Sequence, residues 1–207
     1  IEKVTEIPIT FGGKAAHNIM NTLPSILACY LFKNIKVEDI RNALHTFAPS
    51  SSQTPGRLKL FQFKQFQFLV DFAHNPAGLN LLCDFVNQLA STYKVGIISG
   101  TGDRRDDDIR EIGRISAKNF DEIVIRQDRN LRGRTADEII NLLVEGINES
   151  KPKDIPLTII HDENEAILYA YKHVRPGAII TIMCDVILDT INFIKKLKED
   201  EDLKVSE

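Results

Sequence analysis

Residues 66–76 read FQFLVDFAHNP and pass from a predicted strand to the start of a predicted helix. Apolar side chains occupy every second position from Phe66 to Phe72, which is the period of a β-strand. Asn75 can then cap a helix, and Pro76 suits the first position inside it. This strand–helix unit sets the pattern that the rest of the chain repeats.

The chain downstream of this unit alternates predicted strands with predicted helices. The further strands are expected at Val95–Ser99, Ile123–Ile125, Leu157–Ile160 and Ala178–Met183. The last helix is expected at 186–197, and the acidic tail at 199–207 is expected to fray. Upstream, the parity of the apolar positions changes at Lys64-Gln65, which predicts a hairpin. The alternation predicts an α/β fold with a mainly parallel sheet and helices on both faces, whose ligands bind at the carboxyl ends of the strands.

The N-terminal part of the chain has a different character. Residues 1–9 are predicted to form a short strand, and helical periodicity follows at 15–32 and 37–47. Pro24 lies inside the first of these helices and is expected to kink or split it. Small, polar, Pro and Gly residues then cluster, which is typical of a linker. Two domains are therefore predicted, at 1–52 and 53–207.

Composition limits the functions that this chain can have. Of its 207 residues, 43% are apolar, and 26 basic residues against 29 acidic ones give a net charge of −3. A near-neutral total does not predict attraction to nucleic acid or to a membrane, and no apolar run approaches the ~20 residues of a membrane span. The three cysteines form no CxxC pair and are expected to be reduced thiols. The chain begins without methionine and without a signal peptide, so we expect a cytoplasmic piece of a longer protein.

The first candidate loop follows the Phe-rich strand. The Asp71 carboxylate could accept from the two hydroxyls of a ribose, because it offers two oxygens. His74 and Asn75 lie at the same predicted ligand edge of the sheet. Alternatively, Asp71 and Asn75 only cap the turn, and His74 is a surface residue.

Two further loops carry dense charge. Residues 99–108 read SGTGDRRDDD, in which the glycine pair can let backbone N–H groups approach an anion. Arg104 and Arg105 suit a carboxylate or phosphate, and Asp103 could receive an ammonium group. Residues 126–134 read RQDRNLRGR and follow another strand. For both loops the alternative is a solvated turn with local ion pairs, each of which stabilises little.

The N-terminal part and the linker supply weaker signals. Arg57 follows a glycine at the predicted hinge between the domains. His17, Asn18 and Asn21 lie at a helix start and are capping residues by default. The remaining histidines show no metal-ligand spacing, so no metal site is predicted; they are His45, His161 and His173.

Together these segments resemble the C-terminal part of the Mur ligase family, whose members join an amino acid or peptide to a carboxylate using ATP and an acyl phosphate. HNIMN at 17–21 resembles the family's HNxxN helix, and DFAHNP at 71–76 is similar to its D-Y-A-H-x-P segment. Gly56-Arg57 resembles the family's hinge arginine. Within the family, the cyanophycin synthetases show the most similar pattern, which comprises FAPSSSQTPGRL at 47–58, GTGDRRDDD at 100–108, Asp128 and LRGR at 131–134.

The resemblance implies a Rossmann-like C-terminal domain that follows a remnant of the central ATP-binding domain. It implies that Asn18 and Asn21 contact adenine and that Asp71 holds the ribose. Arg57 would be the catalytic residue, which reaches the ATP phosphates or the reacting centre when the domains close. His74 and Asn75 would line the nucleotide site.

The resemblance also implies a site for the incoming amino acid, which would be aspartate or arginine if the cyanophycin pattern holds. The residues implied to bind this substrate are Asp103, Arg104, Arg105, Asp128, Arg132 and Arg134.

The family's Gly-Lys-Thr phosphate loop and its central-domain metal ligands have no match in this chain. ATP and Mg²⁺ would therefore be held mainly by an upstream ATP-binding domain of the same enzyme, and the isolated chain is expected to be inactive. The expected partners are ATP, the carboxylate substrate and the amino acid, without nucleic acid or membrane; a homo-oligomer stays open. Two alternatives remain, another Mur-type ligase acting on a wall precursor or a folate, and a non-catalytic nucleotide- or peptide-binding module.

Overall fold

The computed structural model describes residues 1–50, 53–54, 56–150 and 154–203. Its strands are β1 (Lys59–Gln62), β2 (Gln67–Asp71), β3 (Lys94–Ile98), β4 (Glu122–Ile125), β5 (Leu157–Ile159) and β6 (Ile179–Met183). They form a six-stranded sheet in the order β1-β2-β6-β3-β4-β5. β1 runs antiparallel to β2, and the other neighbouring pairs are parallel. The predicted hairpin and the mainly parallel sheet are confirmed.

The helices cover both faces of this sheet, as the alternation predicts. The chain begins with α1 (Ala16–Leu31) and α2 (Val37–Thr46), and the helices on the sheet are α3 (Pro76–Val86), α4 (Asp106–Asn119), α5 (Ala136–Ser150), α6 (Glu163–His173) and α7 (Ile187–Leu203). Leu69 packs in the core cluster formed with α3, α4 and α5. Its neighbours Phe68 and Val70 pack in the cluster formed with α6 and α7. Successive side chains of a strand point to opposite faces, so β2 supplies both cores, as β3, β4 and β6 also do.

The predicted strand at 1–9 is wrong, because this segment forms 3₁₀ turns at Val4–Glu6 and Pro8–Thr10. Pro8 has no N–H to donate to a neighbouring strand. The Thr10 hydroxyl instead donates to the carbonyl oxygens of Val4 at 2.6 Å and Ile7 at 2.8 Å, which closes the turns.

Of the predicted helices, the first is not split at Pro24 and the last is longer than predicted. α1 continues through Pro24, which is exposed, so water can reach the carbonyl group that the proline leaves without a helical N–H donor. α7 extends to Leu203, and Lys198 pairs there with Glu201 at 3.5 Å. Much of the predicted acidic tail is therefore helical, whereas residues 204–207 lie outside the described part of the chain.

The helix pair α1–α2 lies beside the sheet domain rather than inside its core. α1 has no fully buried residue, and α2 buries Ile40. Among the described residues, no helix combines the length and apolar character needed to cross a bilayer. The predicted domain boundary between residues 52 and 53 involves residue 52, which lies outside the described residues.

Candidate functional site

The carboxyl ends of four neighbouring strands define one edge of the molecule. β2, β6, β3 and β4 are adjacent and parallel, so the loops that follow them leave the sheet on the same side. The loops after β2, β3 and β4 contain the three predicted chemical segments. The loop after β6 contains Cys184 and Asp185.

A cavity of about 1070 Å³ opens between α1, α2 and this edge. The predicted nucleotide-site residues come from distant parts of the sequence, and the structure brings all of them to its wall. They are Asn18, Asn21, Arg57, Asp71, His74 and Asn75.

Asp71 is nearly buried, with 8% of its surface exposed. Its Oδ2 accepts from the backbone N–H of Leu58 at 2.9 Å. Burial raises the pKa of the Asp71 carboxyl, while the N–H of Leu58 and the charge of Arg57 oppose this shift. Among the described residues of the cavity wall, Asp71 is the one carboxylate.

Arg57 supplies positive charge to the large cavity. Its guanidinium lies 5.8 Å from the centre of the Phe72 ring, and among the described residues it forms no ion pair. Burial lowers the pKa of His17 on the opposite wall, and the charge of Arg57 lowers it further. The cavity therefore presents a cation that is free to bind an anionic ligand.

Three of the other predicted nucleotide-site residues have side-chain partners within the chain. Asn18 Nδ2 donates to the Ile9 carbonyl at 2.8 Å. Asn75 Oδ1 accepts from Gly78 N–H at 2.8 Å and caps α3, as its position predicts. His74 Nδ1 lies 3.1 Å from the Phe72 carbonyl oxygen. The capping interpretation thus holds for Asn75, which nevertheless lines the cavity.

A second cavity, of about 130 Å³, adjoins the first. The two share Phe72, Ala73 and His74 as a common wall. Arg104 lines the small cavity, its buried Nε has no hydrogen-bond partner, and Asp103 Oδ1 lies 3.9 Å away. The large cavity thus holds an arginine without an ion pair among the described residues, and the small cavity holds Arg104 and Arg126, whose Nε atoms donate no hydrogen bond.

The structure brings only half of the predicted amino-acid-binding residues into the small cavity. Arg104, Asp128 and Arg132 line it. The others support the loops instead, because their charges are engaged nearby. Asp103 binds Arg132 at 2.6 Å, Arg105 binds Asp108 at 2.8 Å, and Arg134 binds Asp106 at 2.6 Å.

The glycines after β3 serve the packing of two loops. A Cβ on Gly102 would lie 2.0 Å from the Leu131 carbonyl oxygen. Arg134 donates to the carbonyl oxygens of Gly102 and Arg104, each at 2.9 Å. Close contact with the loop after β4 therefore accounts for glycine at position 102.

Sequence reasoning missed the pairing of a buried ionic cluster, three members of which line the small cavity. Arg126 is 1% exposed and binds Asp128 at 2.6 Å. Its Nε lies 3.1 Å from Glu163 Oε2 as an ion pair without hydrogen-bond geometry. Its Nη2 donates to the Met183 carbonyl oxygen. Glu163 in turn accepts from the N–H of Asp185 at 2.9 Å. Arg126 and Asp128 belong to the charged segment predicted at 126–134, but no motif marked Glu163 or Asp185.

Comparison with known proteins identifies the family. Residues 56–185 match the family model described as Mur ligase, glutamate ligase domain. The chain belongs to the Mur ligase family. The match begins at Gly56, directly before the arginine that faces the large cavity.

Two curated relatives place the chain within this family. It is 37% identical over 196 residues to a cyanophycin synthetase of Crocosphaera subtropica, covering 95% of this chain and 22% of that protein. It is 27% identical over 179 residues to a UDP-N-acetylmuramoyl-L-alanyl-D-glutamate–2,6-diaminopimelate ligase of Clostridium acetobutylicum, covering 85% of this chain and 34% of that protein. The chain thus spans about a fifth to a third of the length of these relatives.

A solved structure shows the same fold. The folylpolyglutamate synthase of Mycobacterium tuberculosis, complexed with ADP and AMPPCP, matches with a TM-score of 0.59 at 21% identity. The match covers 81% of this chain and 36% of that one. The Rossmann-like Mur ligase fold is therefore shown from sequence and structure alike.

Proposed function

We propose that this chain is the C-terminal part of an ATP-dependent amide ligase similar to cyanophycin synthetase. The complete enzyme would add an amino acid to a carboxylate that is activated as an acyl phosphate. Membership of the Mur ligase family and 37% identity to cyanophycin synthetases support this proposal.

One observation carries the proposal: two cavities with unsatisfied arginines share the wall formed by residues 72–74. A ligase must bring an anionic nucleotide and an amine to the same reacting carboxylate. Arg57 offers its charge to the first ligand, and Arg104 offers a donor to the second. Adjacent sites with separate cations suit this arrangement.

In the large cavity, ATP would supply the phosphoryl group that activates the carboxylate. Asn18 and Asn21 would contact adenine, Asp71 the ribose, and Arg57 the phosphates, with His74 and Asn75 lining the site. Asp71, the one carboxylate among the described wall residues, already accepts from Leu58. Ligands for Mg²⁺ are therefore proposed to come mainly from the upstream domain.

In the small cavity, Arg104 and Arg132 would hold the carboxylate of the incoming amino acid, and Asp128 would lie towards its amine. The substrate would not be contacted by the remaining predicted residues, which would instead stabilise the loops through their ion pairs; they are Asp103, Arg105 and Arg134. Aspartate and arginine are the proposed substrates, on the similarity to cyanophycin synthetases.

We further propose the division into a remnant of the central ATP-binding domain at 1–52 and the C-terminal domain at 53–207. The start of the family match at Gly56 supports it. So does the exposure of apolar side chains on α1, where Leu27 is 58% exposed and Leu31 is 71% exposed. An upstream domain of the same cytoplasmic enzyme would cover that face.

The substrate proposal is tested with the full-length protein that contains this chain. ATP turnover is measured with aspartate- and arginine-containing substrates, with a peptidoglycan precursor plus a diamino acid, and with a folate plus glutamate. Turnover that requires aspartate or arginine supports the cyanophycin-like assignment. Turnover with the peptidoglycan precursor and diamino acid, or with the folate and glutamate, shows a different Mur-type ligase. If no substrate supports turnover, a non-catalytic binding module is favoured.

A further inference from the structure

Arg57 lies between two backbone positions in the left-handed region. Gly56 has φ 67° and Leu58 has φ 45°. Glycine adopts this region freely, but a side chain with a Cβ rarely does, so Leu58 must be held there by its surroundings. The Leu58 side chain is 1% exposed and packs in the core.

The carboxyl end of β2 holds both of these positions. The Gly56 carbonyl oxygen accepts from Phe72 N–H at 2.8 Å. Leu58 N–H donates to Asp71 Oδ2 at 2.9 Å. Asp71 is itself fixed in the sheet, because it pairs with Met183 and its carbonyl oxygen accepts from Cys184 N–H at 2.9 Å.

The direction of the Arg57 side chain depends on these two bonds. The backbone angles of residues 56–58 set where its Cα–Cβ bond points, and the guanidinium reaches the face of Phe72 at the cavity wall. Without the Asp71 acceptor, a buried N–H would lose its partner, and Leu58 would gain by relaxing to negative φ. Arg57 would then leave its place.

We infer that Asp71 is a positioning residue: its carboxylate holds Leu58 in the left-handed conformation and thereby aims Arg57 into the large cavity. This inference rests on the proposed function for its catalytic consequence, but the geometry of Asp71 and Leu58 is independent of it. This role is separate from the proposed contact with the ribose, which would act on the KM for ATP without involving Arg57.

The first test needs only this chain. Amide hydrogen exchange of Leu58 is measured in the parent, Asp71→Asn and Asp71→Ala. Asn retains a carbonyl oxygen that can accept from Leu58 N–H, so its exchange should stay near that of the parent. Asp71→Ala should accelerate it about tenfold or more, while the amide of core residue Leu143 stays protected and reports the intact fold. Unchanged exchange of Leu58 in Asp71→Ala overturns the inference.

The second test uses turnover by the full-length protein in a double-mutant cycle. Arg57→Ala and Asp71→Ala should each lower kcat about 100-fold, and the double variant should be no more than about twofold slower than Arg57→Ala alone. Losses that multiply overturn the positioning role, because they show that Asp71 acts on kcat independently of Arg57.

If Asp71→Ala fails to fold, Gly56→Ala tests the other arm of the same arrangement. A Cβ there meets Ile187 at 2.7 Å and strains the left-handed backbone. The Gly56→Ala substitution should move the Arg57 side chain and so lower kcat, although Asp71 itself is unchanged. Full turnover by a folded Gly56→Ala variant contradicts the inference. If the parent turns over no substrate, the proposed function fails, whereas the exchange of Leu58 still decides the geometry.

Discussion

At the scale of single residues, the site combines charged side chains that form ion pairs with others that have no ion-pair partner among the described residues. Position at the end of a strand was enough to predict Asp71 and Arg104 as candidates, whereas Arg57 was predicted from its place at the hinge. Their partners could not be predicted, because Leu58 lies 13 residues from Asp71 and meets it only through the hairpin register. The same limit hid Glu163, which reaches Arg126 from another strand–helix unit.

The Asp71 carboxyl should make stability depend on pH. Burial raises its pKa above the ordinary 3.8, so the folded chain binds this proton more readily than the unfolded chain. Its contribution to stability therefore falls as the pH rises from about 4 towards 7. The free energy of unfolding of Asp71→Asn, relative to the parent, should accordingly be higher at about pH 7 than at about pH 4.

Urea unfolding of both chains at the two pH values measures this difference. Asp108→Asn is the matched control, because the hydrogen bond from Arg105 lowers the pKa of Asp108 and the difference should have the opposite sign. A difference for Asp71→Asn that is constant or falls with pH contradicts the assignment of a raised pKa.

Arg126 should be a major contributor to folding. Arg126→Met leaves the carboxylates of Asp128 and Glu163 without their buried partner, which should cost about 3–5 kcal/mol in the free energy of unfolding. Chemical unfolding of this chain checks it. Arg105→Met, which breaks an exposed pair with Asp108, should change stability far less, and equal effects of the two substitutions would refute a special role for the buried cluster.

At the scale of elements, periodicity predicted the sheet domain well and the N-terminal segment poorly. Strands β2 to β6 are short apolar runs bounded by turns, and helices α3 to α5 have clear buried stripes. In residues 1–9 the apolar positions suggested a strand, but Pro8 and the Thr10 hydroxyl stabilise turns instead. Local apolar spacing cannot tell a strand from turns when no neighbouring strand is present.

The contact between α4 and α5 should depend on glycine. A Cβ on Gly146 would lie 1.9 Å from the Arg110 carbonyl oxygen. Gly146→Ala should therefore lower the free energy of unfolding by about 1–3 kcal/mol, although alanine favours a helix by about 1 kcal/mol. Thermal and urea unfolding measure the change.

Gly78→Ala in α3 is the matched control, since its Cβ would meet no atom closer than 3.3 Å. This variant should stay within about 1 kcal/mol of the parent. If Gly146→Ala is as stable as Gly78→Ala, the two helices are not held at the close distance described here.

At the scale of the whole molecule, strand order creates the candidate site. β6 lies between β2 and β3, so the last strand of the chain brings Cys184 and Asp185 between loops that are much earlier in sequence. Alternation of strands and helices predicted the functional edge but not this order. The pairing of α1 with the edge, which encloses the large cavity, was implied only by the family resemblance.

The exposed face of α1 should matter only in the complete protein. Leu23, Leu27 and Leu31 are 59%, 58% and 71% exposed and do not line the large cavity. Replacing Leu27 and Leu31 with Glu should leave the unfolding of this chain nearly unchanged, because neither side chain is buried here. The same pair of substitutions should destabilise the full-length protein, and equal tolerance in both proteins would contradict a central domain over this face.

The most direct measurement compares kcat of the full-length protein in two arginine variants. Arg57→Ala removes the unpaired guanidinium that lies over the Phe72 ring. Arg175→Ala is the control and removes a guanidinium 4.3 Å from the centre of the Tyr93 ring. Arg175 precedes β6 in the chain, so it lies at the opposite end of the sheet from the candidate site. If the edge beside Phe72 is half of a ligase site, Arg57→Ala lowers kcat about 100-fold or more with unchanged thermal unfolding, and Arg175→Ala keeps it. Parental turnover in Arg57→Ala, or an equal loss in both variants, would contradict this.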